Sequence, residues 1–128
     1  MNKKSFQTDQ APTAIGPYSQ AIESNGLLFL SGQIPIDPKT NTVISSPSII
    51  DQTRQVLQNI ENLLKARQLS LAHVVKTTIF LKNISDFQMM NEVYAGFFKD
   101  TPPARSAVQV ARLPKDVSIE VEAIATLT

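Results

Sequence analysis

The hydrophobic residues of this chain recur with two different periods, and the two periods alternate along the sequence. Residues 48–67 place apolar side chains at helical spacing and form one stripe. Residues 74–82, VVKTTIFLK, are β-branched and apolar, which is typical of a buried strand. After Pro102 and Pro103, residues 106–111 alternate between two faces, which predicts another strand. This alternation predicts a sheet with helices packed against it.

Both predicted helices carry signals at their ends. Ser48 is suited to cap the first helix, and Asp51 lies in its first turn, where the helix dipole favours a negative charge. The second helix is predicted to begin at a capping box, Ser85 to Gln88, and to end near Asp100, before the two prolines. One face of this second helix carries Phe87, Met90, Tyr94, Phe97 and Phe98.

Turn signals place the remaining strands. Asn25-Gly26 predicts a type I′ hairpin, because both central residues of that turn need a positive φ, with strands over about 17–23 and 27–33. Residues 36–43 are predicted to form a loop. LPKD is predicted to form a turn before a last strand within SIEVEAIATL. The predicted order is β-β-α-β-α-β-β, an α+β fold, in one domain over residues 1–128.

The order of elements also predicts an uncovered sheet face. Right-handed crossovers tend to put both helices on the same side of the sheet, so the other side is left bare. The candidates for that bare face, depending on strand register, are Phe80, Val108 or Ala107, and Ile124 or Ala123. Because an apolar sheet face needs a partner, we expect a homo-oligomer, most simply a dimer or a trimer.

Composition limits the classes of function. The net charge of +1 is too small for a nucleic-acid or membrane surface, so we expect neither partner. The chain has no cysteine, which removes disulfides, thiolate metal sites and cysteine nucleophiles. The first residues, MNKKSFQTDQ, lack the apolar run of a signal peptide, and no stretch is long and apolar enough to span a bilayer. We therefore expect a cytoplasmic protein.

Arg105 is the first candidate for chemistry. Its guanidinium offers a rigid fork that matches a carboxylate, and the two prolines before it restrict the chain that presents it. The alternative is a solvated arginine at a strand end, which is the commoner situation. Arg112, at a turn, and His73, the only histidine, are interpreted as a solvated and a structural residue.

Two further candidates are acidic and phenolic. Glu120 and Glu122 lie two residues apart on a strand and therefore share a face, opposite an apolar face that begins at Ile119. Either they are two solvated glutamates, or one is partly desolvated in a pocket and acts as a general acid or base. Tyr18 follows Pro17, and it is either an ordinary amphipathic tyrosine or a pocket residue.

Six segments in register resemble the reactive intermediate deaminase family (Rid, also called YjgF). They are GPYSQA, SGQIP, VVKTTIFL, MNEVYAGFF, PPARSAVQVARLPKD and IEVEAIA. The resemblance implies a fold similar to the small trimeric type of chorismate mutase, a mixed sheet with two helices on one face. It implies a homotrimer with sites between subunits and no metal or organic cofactor. The implied activity is hydrolysis of short 2-imino or 2-enamino acids, released by pyridoxal-phosphate dehydratases, to 2-keto acids and ammonia.

The resemblance also implies roles for individual residues. Arg105 matches the arginine that binds the substrate carboxylate, Glu120 matches the acidic residue that activates water, and Tyr18 matches the pocket tyrosine. Many members have cysteine where this chain has Ala107, so a role that needs a thiol is not expected here. The further residues expected to bind substrate, through backbone amides or as pocket wall, are Ser31, Gly32, Phe87, Asn91 and Ala107.

A second class of function stays open from the sequence. The same cleft suits a regulatory protein that binds a small carboxylate without turning it over. Family members have also carried labels such as ribonuclease and translation inhibitor, but the near-neutral charge and the lack of a basic stripe argue against direct RNA binding.

Overall fold

A six-stranded mixed sheet carries two helices in the computed structural model, which describes residues 2–128. The order of strands across the sheet is β1-β2-β3-β8-β6-β7. Only β6 and β7 are parallel; the other pairs are antiparallel. The elements are β1 (Lys4–Phe6), β2 (Ala21–Ser24), β3 (Leu27–Gln33), β4 (Ile36–Asp37), β5 (Thr42–Val43), α1 (Ile49–Ala66), β6 (Val74–Leu81), α2 (Phe87–Phe97), β7 (Ala104–Gln109) and β8 (Ile119–Thr126).

The helix α1 covers the centre of the sheet. Its apolar stripe packs on β8 and β3, and α2 packs beside it. The amide of Asp51 donates to the Ser48 hydroxyl at 3.4 Å, so the predicted cap is present. The residues of this stripe that are fully buried are Val56, Leu57, Ile60, Leu63 and Leu64. The α+β class and the mixed sheet with two helices are thereby confirmed.

Several local predictions need correction. The strand β2 begins at Ala21 rather than near residue 17, because Tyr18 N donates to Gly16 O at 2.8 Å and closes a tight turn there. The capping box is wrong: a short 3₁₀ turn over Ile84–Asp86 precedes α2, and no side chain caps the helix.

Three strands were not predicted. β1 is three residues long, and β4 and β5 are two residues each, so none of them is long enough to show a period of two. β4 and β5 form a small hairpin within the stretch predicted to be a loop, and Asn41 turns it with a φ of 55°.

The register settles which side chains face away from the helices. Ile79 is buried beneath the helices and pairs with Ala107 and Val121, so Ala107 faces the same way. Phe80, one residue on, pairs with Val108 and therefore lies on the opposite face. Ile124 and Phe29 share that face, and Val108 and Phe29 are 46% and 41% exposed. We call this surface the open face.

The open face is covered at one end. A small second core of Ile34, Ile36, Leu113 and Val117 packs against Phe80. This core brings the β4–β5 hairpin and the turn before β8 next to the sheet. Neither helix in residues 2–128 combines the length and the apolarity that a membrane-spanning helix needs.

An ion pair connects the end of α1 to β2. The Arg67 Nε atom lies 2.6 Å from Glu23 Oε2, and Nη2 lies 3.1 Å from Oε1, so the contact is bidentate. The hydrogen bond from the guanidinium is the main cause that lowers the pKa of Glu23 below its ordinary value.

This ion pair should make stability sensitive to acid. Because the folded pKa of Glu23 is lowered, its contribution is complete above the unfolded value of about 4.3 and is lost as the pH falls through the folded pKa. Arg67→Gln should therefore flatten the fall in the free energy of unfolding that occurs below about pH 5, measured by urea denaturation from about pH 7 down to about pH 3. Lys65→Gln, which breaks only an exposed pair with Glu61, is the control. Equal slopes for wild type and Arg67→Gln would contradict this account.

Candidate active site

Arg105 lies at the start of β7, on the side of the sheet that carries the helices. It pairs with the buried Thr77 of β6, which places its side chain under α2. The Arg105 Nη1 atom donates to Asn91 Oδ1 at 2.7 Å. Its guanidinium carbon lies 5.5 Å from the ring centroid of Phe87 and 4.8 Å from that of Tyr94. A solvated arginine at a strand end would not have these contacts. The position of the Arg105 side chain is therefore fixed by Asn91, Phe87 and Tyr94.

No acidic side chain of the described residues forms an ion pair with Arg105. Among residues 2–128 there are four ion pairs, and none of them includes Arg105. Burial raises the pKa of Tyr94, against smaller opposing effects of its Thr77 hydrogen bond and of Arg105, so the phenol stays neutral at ordinary pH. A half-buried cation held by uncharged groups favours an anionic ligand.

Glu120 lies elsewhere, beside a cavity of about 410 Å³. Tyr18, Ser31 and Gly32 line the same cavity, so this group of predicted residues is brought together. The Ser31 hydroxyl donates to the carbonyl of Ser19 at 2.6 Å, which ties β3 to the loop that carries Tyr18. The rest of the lining is mixed: the apolar residues are Pro12, Ile15, Ile34, Ile36 and Pro114, and the polar ones are Thr13, Gln20, Gln33 and Glu122.

Gly32 makes room for the carboxyl group of Glu120. A Cβ atom built on Gly32 would lie 2.9 Å from Glu120 Cδ and 3.2 Å from Cγ, and closer still to Oε2. Real Cβ atoms do not approach so closely, so any other residue at this position displaces the carboxyl group. The glycine of the SGQ segment therefore provides the space that the carboxyl group of Glu120 occupies.

The environment of Glu120 favours its protonated form. Burial is the larger cause that raises its pKa, and the nearby negative charge of Glu122 adds to it. Both carboxylates line the cavity. In the described part of the chain, the Glu120 side chain belongs to no ion pair. A carboxyl group with a raised pKa is suited to exchanging a proton with a bound water or ligand.

The two groups of predicted site residues lie on opposite faces of the sheet. Arg105 pairs with Thr77, and Thr77 pairs with Ala123 on β8, so these three share the helix side. Glu120 is three positions from Ala123 and therefore points to the other side, where it pairs with Phe80. Arg105, Phe87, Asn91 and Ala107 lie on the helix side of the sheet, and Tyr18, Ser31, Gly32 and Glu120 surround the cavity. One chain alone does not bring Arg105 and Glu120 to one ligand.

Buried amides that were not predicted hold the cavity in place. Gln20 is 5% exposed; its amide donates to the carbonyls of Pro12 at 2.7 Å and Thr8 at 3.0 Å. Asn59 of α1 is fully buried and donates to the carbonyl of Ile36 at 2.9 Å. No local sequence pattern reveals these contacts, because the partners lie far apart along the chain.

The other side chains weighed from the sequence take the structural roles expected of them. His73 Nδ1 accepts a hydrogen bond from Ser70 N at 3.1 Å within a short turn. Arg112 is exposed and pairs with Asp116 at 3.0 Å. Tyr94 was not singled out as a site residue, although its i, i+4, i+7 spacing with Phe87 and Asn91 places it on their helix face. Within residues 2–128, histidine, aspartate and glutamate form no cluster of three suited to a metal ion.

Comparisons with known proteins agree with the motifs. Residues 8–127 match the family model described as endoribonuclease L-PSP. The RutC family protein PH0854 of Pyrococcus horikoshii is 56% identical over 96% of this chain and 97% of its own length. The 2-iminobutanoate/2-iminopropanoate deaminase of Salmonella typhimurium is 48% identical over 95% of this chain and 96% of its own. The structure of E. coli TdcF with bound serine is 44% identical, with a TM-score of 0.90 over 96% of this chain and 98% of that one. The chain therefore belongs to the endoribonuclease L-PSP family, the reactive intermediate deaminases whose motifs its sequence resembles.

Proposed function

We propose that this protein hydrolyses short 2-imino acids, such as 2-iminobutanoate and 2-iminopropanoate, to 2-keto acids and ammonia. The observation that carries the proposal is the half-buried guanidinium of Arg105, held by Asn91 and two aromatic rings without a carboxylate partner. The name of the Salmonella relative and the serine bound to TdcF support a small ligand with a carboxylate beside a nitrogen-bearing carbon.

The substrate carboxylate binds to Arg105. Nη1 is engaged by Asn91 at 2.7 Å, and the guanidinium has further N–H donors that can bind two carboxylate oxygens. The aromatic rings of Phe87 and Tyr94 shield part of the guanidinium from water, which strengthens a charge-assisted hydrogen bond.

Glu120 activates the attacking water. The water oxygen forms a bond to the imine carbon while one of its protons passes to Glu120, which gives a tetrahedral carbinolamine. Glu120 then returns the proton to nitrogen, the C–N bond breaks and ammonia leaves. The remaining hydroxyl proton passes to Glu120 and from there to ammonia or solvent as the carbonyl group forms. The raised pKa of Glu120 suits a group that both accepts and donates a proton. An iminium carbon is already a good electrophile, so the proposed reaction needs no metal or organic cofactor.

The site is proposed to form between subunits of a homotrimer. Arg105 and Glu120 lie on opposite faces of one sheet, so a shared ligand needs Arg105 of one copy and Glu120 of another. The apolar side chains of the open face, including Phe29, Val108 and Ile124, supply a surface for association of copies. A closed ring of copies lets each subunit give one half of two different sites.

Mixing two inactive variants tests the shared site. Arg105→Ala and Glu120→Gln are each expected to lose activity. Random assembly from equal amounts gives both intact residues to about one site in four overall, and to one site in three of every mixed trimer, so isolated mixed trimers should show about one third of wild-type activity. Co-expression with two affinity tags isolates the mixed trimers, and the double variant Arg105→Ala/Glu120→Gln mixed with wild type is the control. Isolated mixed trimers without activity would contradict a site built from two subunits.

A coupled assay tests the activity itself. A threonine dehydratase generates 2-iminobutanoate, and semicarbazide traps what the added protein has not hydrolysed. The wild-type protein should lower the semicarbazone signal in proportion to its concentration. An unchanged signal would overturn the proposal.

One observation favours a second candidate, a regulatory protein that binds a small carboxylate without turnover. Asn91, Phe87 and Tyr94 already orient the Arg105 guanidinium, whereas Glu120 lies on the other face of the sheet, so a carboxylate can bind at Arg105 without being hydrolysed. Binding of 2-oxobutanoate together with an unchanged semicarbazone signal would select this function. RNA is not the ligand we propose, because a net charge of +1 offers little attraction to phosphates.

A further inference from the structure

We propose that Asn91 is a positioning residue that orients Arg105 without neutralising it. Its amide oxygen accepts the Nη1 hydrogen bond at 2.7 Å, and this is the one hydrogen bond that holds the guanidinium in the described part of the chain. Because this acceptor is neutral, it fixes the orientation of the guanidinium without offsetting its positive charge, and that charge stays available to attract a ligand. The identity of that ligand, a short 2-keto or 2-imino acid, rests on the proposed function.

The other contacts of Arg105 are uncharged as well. Phe87, Asn91 and Tyr94 follow i, i+4, i+7 spacing and present one face of α2 to the guanidinium. The Tyr94 hydroxyl lies 2.8 Å from Thr77 Oγ1, and Thr77 is the strand partner of Arg105. The ring under the guanidinium is thus fixed by the same pair of strands that carries the arginine.

The distribution of carboxylates on α2 fits this role. Its one acidic residue, Glu92, lines a groove against α1 together with Arg54 and Lys99. Glu92 is adjacent to Asn91 in sequence but faces this separate groove, so α2 presents a neutral face to Arg105. A carboxylate at position 91 would have the size of the amide and would lie at ion-pair distance from the guanidinium.

Two substitutions of similar size separate the charge of residue 91 from its hydrogen bond. Asn91→Asp keeps an acceptor for Nη1 but supplies a competing carboxylate. Asn91→Leu removes the acceptor but leaves the guanidinium charge free. A purely structural role predicts that Asn91→Asp is the milder change, because it keeps shape and hydrogen bond. The proposal predicts the opposite order for ligand binding.

Calorimetric titration with 2-oxobutanoate measures this order in the intact protein. We expect Asn91→Asp to weaken binding by about tenfold or more, and Asn91→Leu by about threefold. The loss for Asn91→Asp should appear in KM more than in kcat in the imine assay. Its thermal unfolding midpoint should be no lower than that of the wild type, because it gains an ion pair. Asn25→Asp, the same substitution at the exposed β2–β3 turn, is the control and should bind as the wild type does.

The outcomes separate this inference from the proposed function. Weaker binding by Asn91→Leu than by Asn91→Asp overturns the inference, whatever the activity. If the expected order holds while the wild type hydrolyses no imine, the inference stands and the hydrolytic function fails. A wild-type protein that does not bind 2-oxobutanoate overturns the inference as well, because the guanidinium would then not be free for such a ligand.

Discussion

Replacement of Arg105 by alanine should reduce kcat/KM for 2-iminobutanoate by roughly 30- to 5000-fold, which corresponds to about 2–5 kcal/mol of transition-state binding. The substrate carboxylate would be left in a site whose remaining neighbours, Phe87, Asn91 and Tyr94, carry no positive charge. Steady-state kinetics in the semicarbazide assay measure the change. The binding of 2-oxobutanoate should weaken in parallel, because substrate and product share the carboxylate.

Arg112→Ala is the matched control for this result. Arg112 lies seven positions further along, is exposed, and pairs only with Asp116 of its own turn. Its replacement should leave kcat/KM within about twofold of the wild-type value, as expected for a surface ion pair. Near-wild-type hydrolysis by Arg105→Ala would refute the assignment of Arg105 as the carboxylate ligand.

Gly32→Ala should lower kcat almost as much as loss of the Glu120 carboxylate does. The new Cβ atom would occupy the space of the Glu120 carboxyl group, whose Cδ is 2.9 Å from that position. Glu120 would have to turn away from its place at the cavity, and a water held by it would lose its alignment with the imine carbon. Single-turnover kinetics should therefore show a slower chemical step and a smaller change in substrate binding.

Gly96→Ala is the control for adding a methyl group. Gly96 lies exposed within α2, and a Cβ atom there meets nothing within 4 Å. It should keep full activity and gain about 0.5–1 kcal/mol of stability from helix propensity.

The double variant Gly32→Ala/Glu120→Gln should be no slower than Glu120→Gln alone, since both changes remove the same group. Additive losses would show that Gly32 acts independently of Glu120.

The long elements could be predicted because their patterns repeat. α1 and β6 were placed within one residue at each end, since each buries one face or both faces over many residues. The extent of β3 was also correct, because Asn25-Gly26 defines the turn that precedes it. β1, β4 and β5 are held by pairing with distant segments and have too few residues for a pattern. The capping box predicted for α2 does not form, because a 3₁₀ turn over Ile84–Asp86 precedes the helix, and α2 ends at Phe97 rather than near Asp100.

The same distinction between local patterns and long-range contacts applies to the candidate site. The motifs single out Arg105, Glu120 and Tyr18, but they do not say on which face of the sheet each one lies. The Asn91 contact, the ring of Tyr94 and the space at Gly32 all depend on segments brought together by folding. The buried amides of Gln20 and Asn59 donate hydrogen bonds to backbone carbonyls that lie eight and twenty-five residues away along the chain.

The amino-acid sequence by itself determines the chemistry available to this protein. It places the permanently charged Arg105 at the start of a strand and Glu120 and Glu122 on one strand face, and it contains no cysteine. It also sets the order in which helical and strand periods follow one another. Those properties are local, so they can be seen in short segments. The pairing of β6 with both β7 and β8 is not local, and a shift of one residue would move every side chain to the other face. For that reason only the folded chain separates Arg105 from Glu120 and assigns them to opposite sides of one sheet.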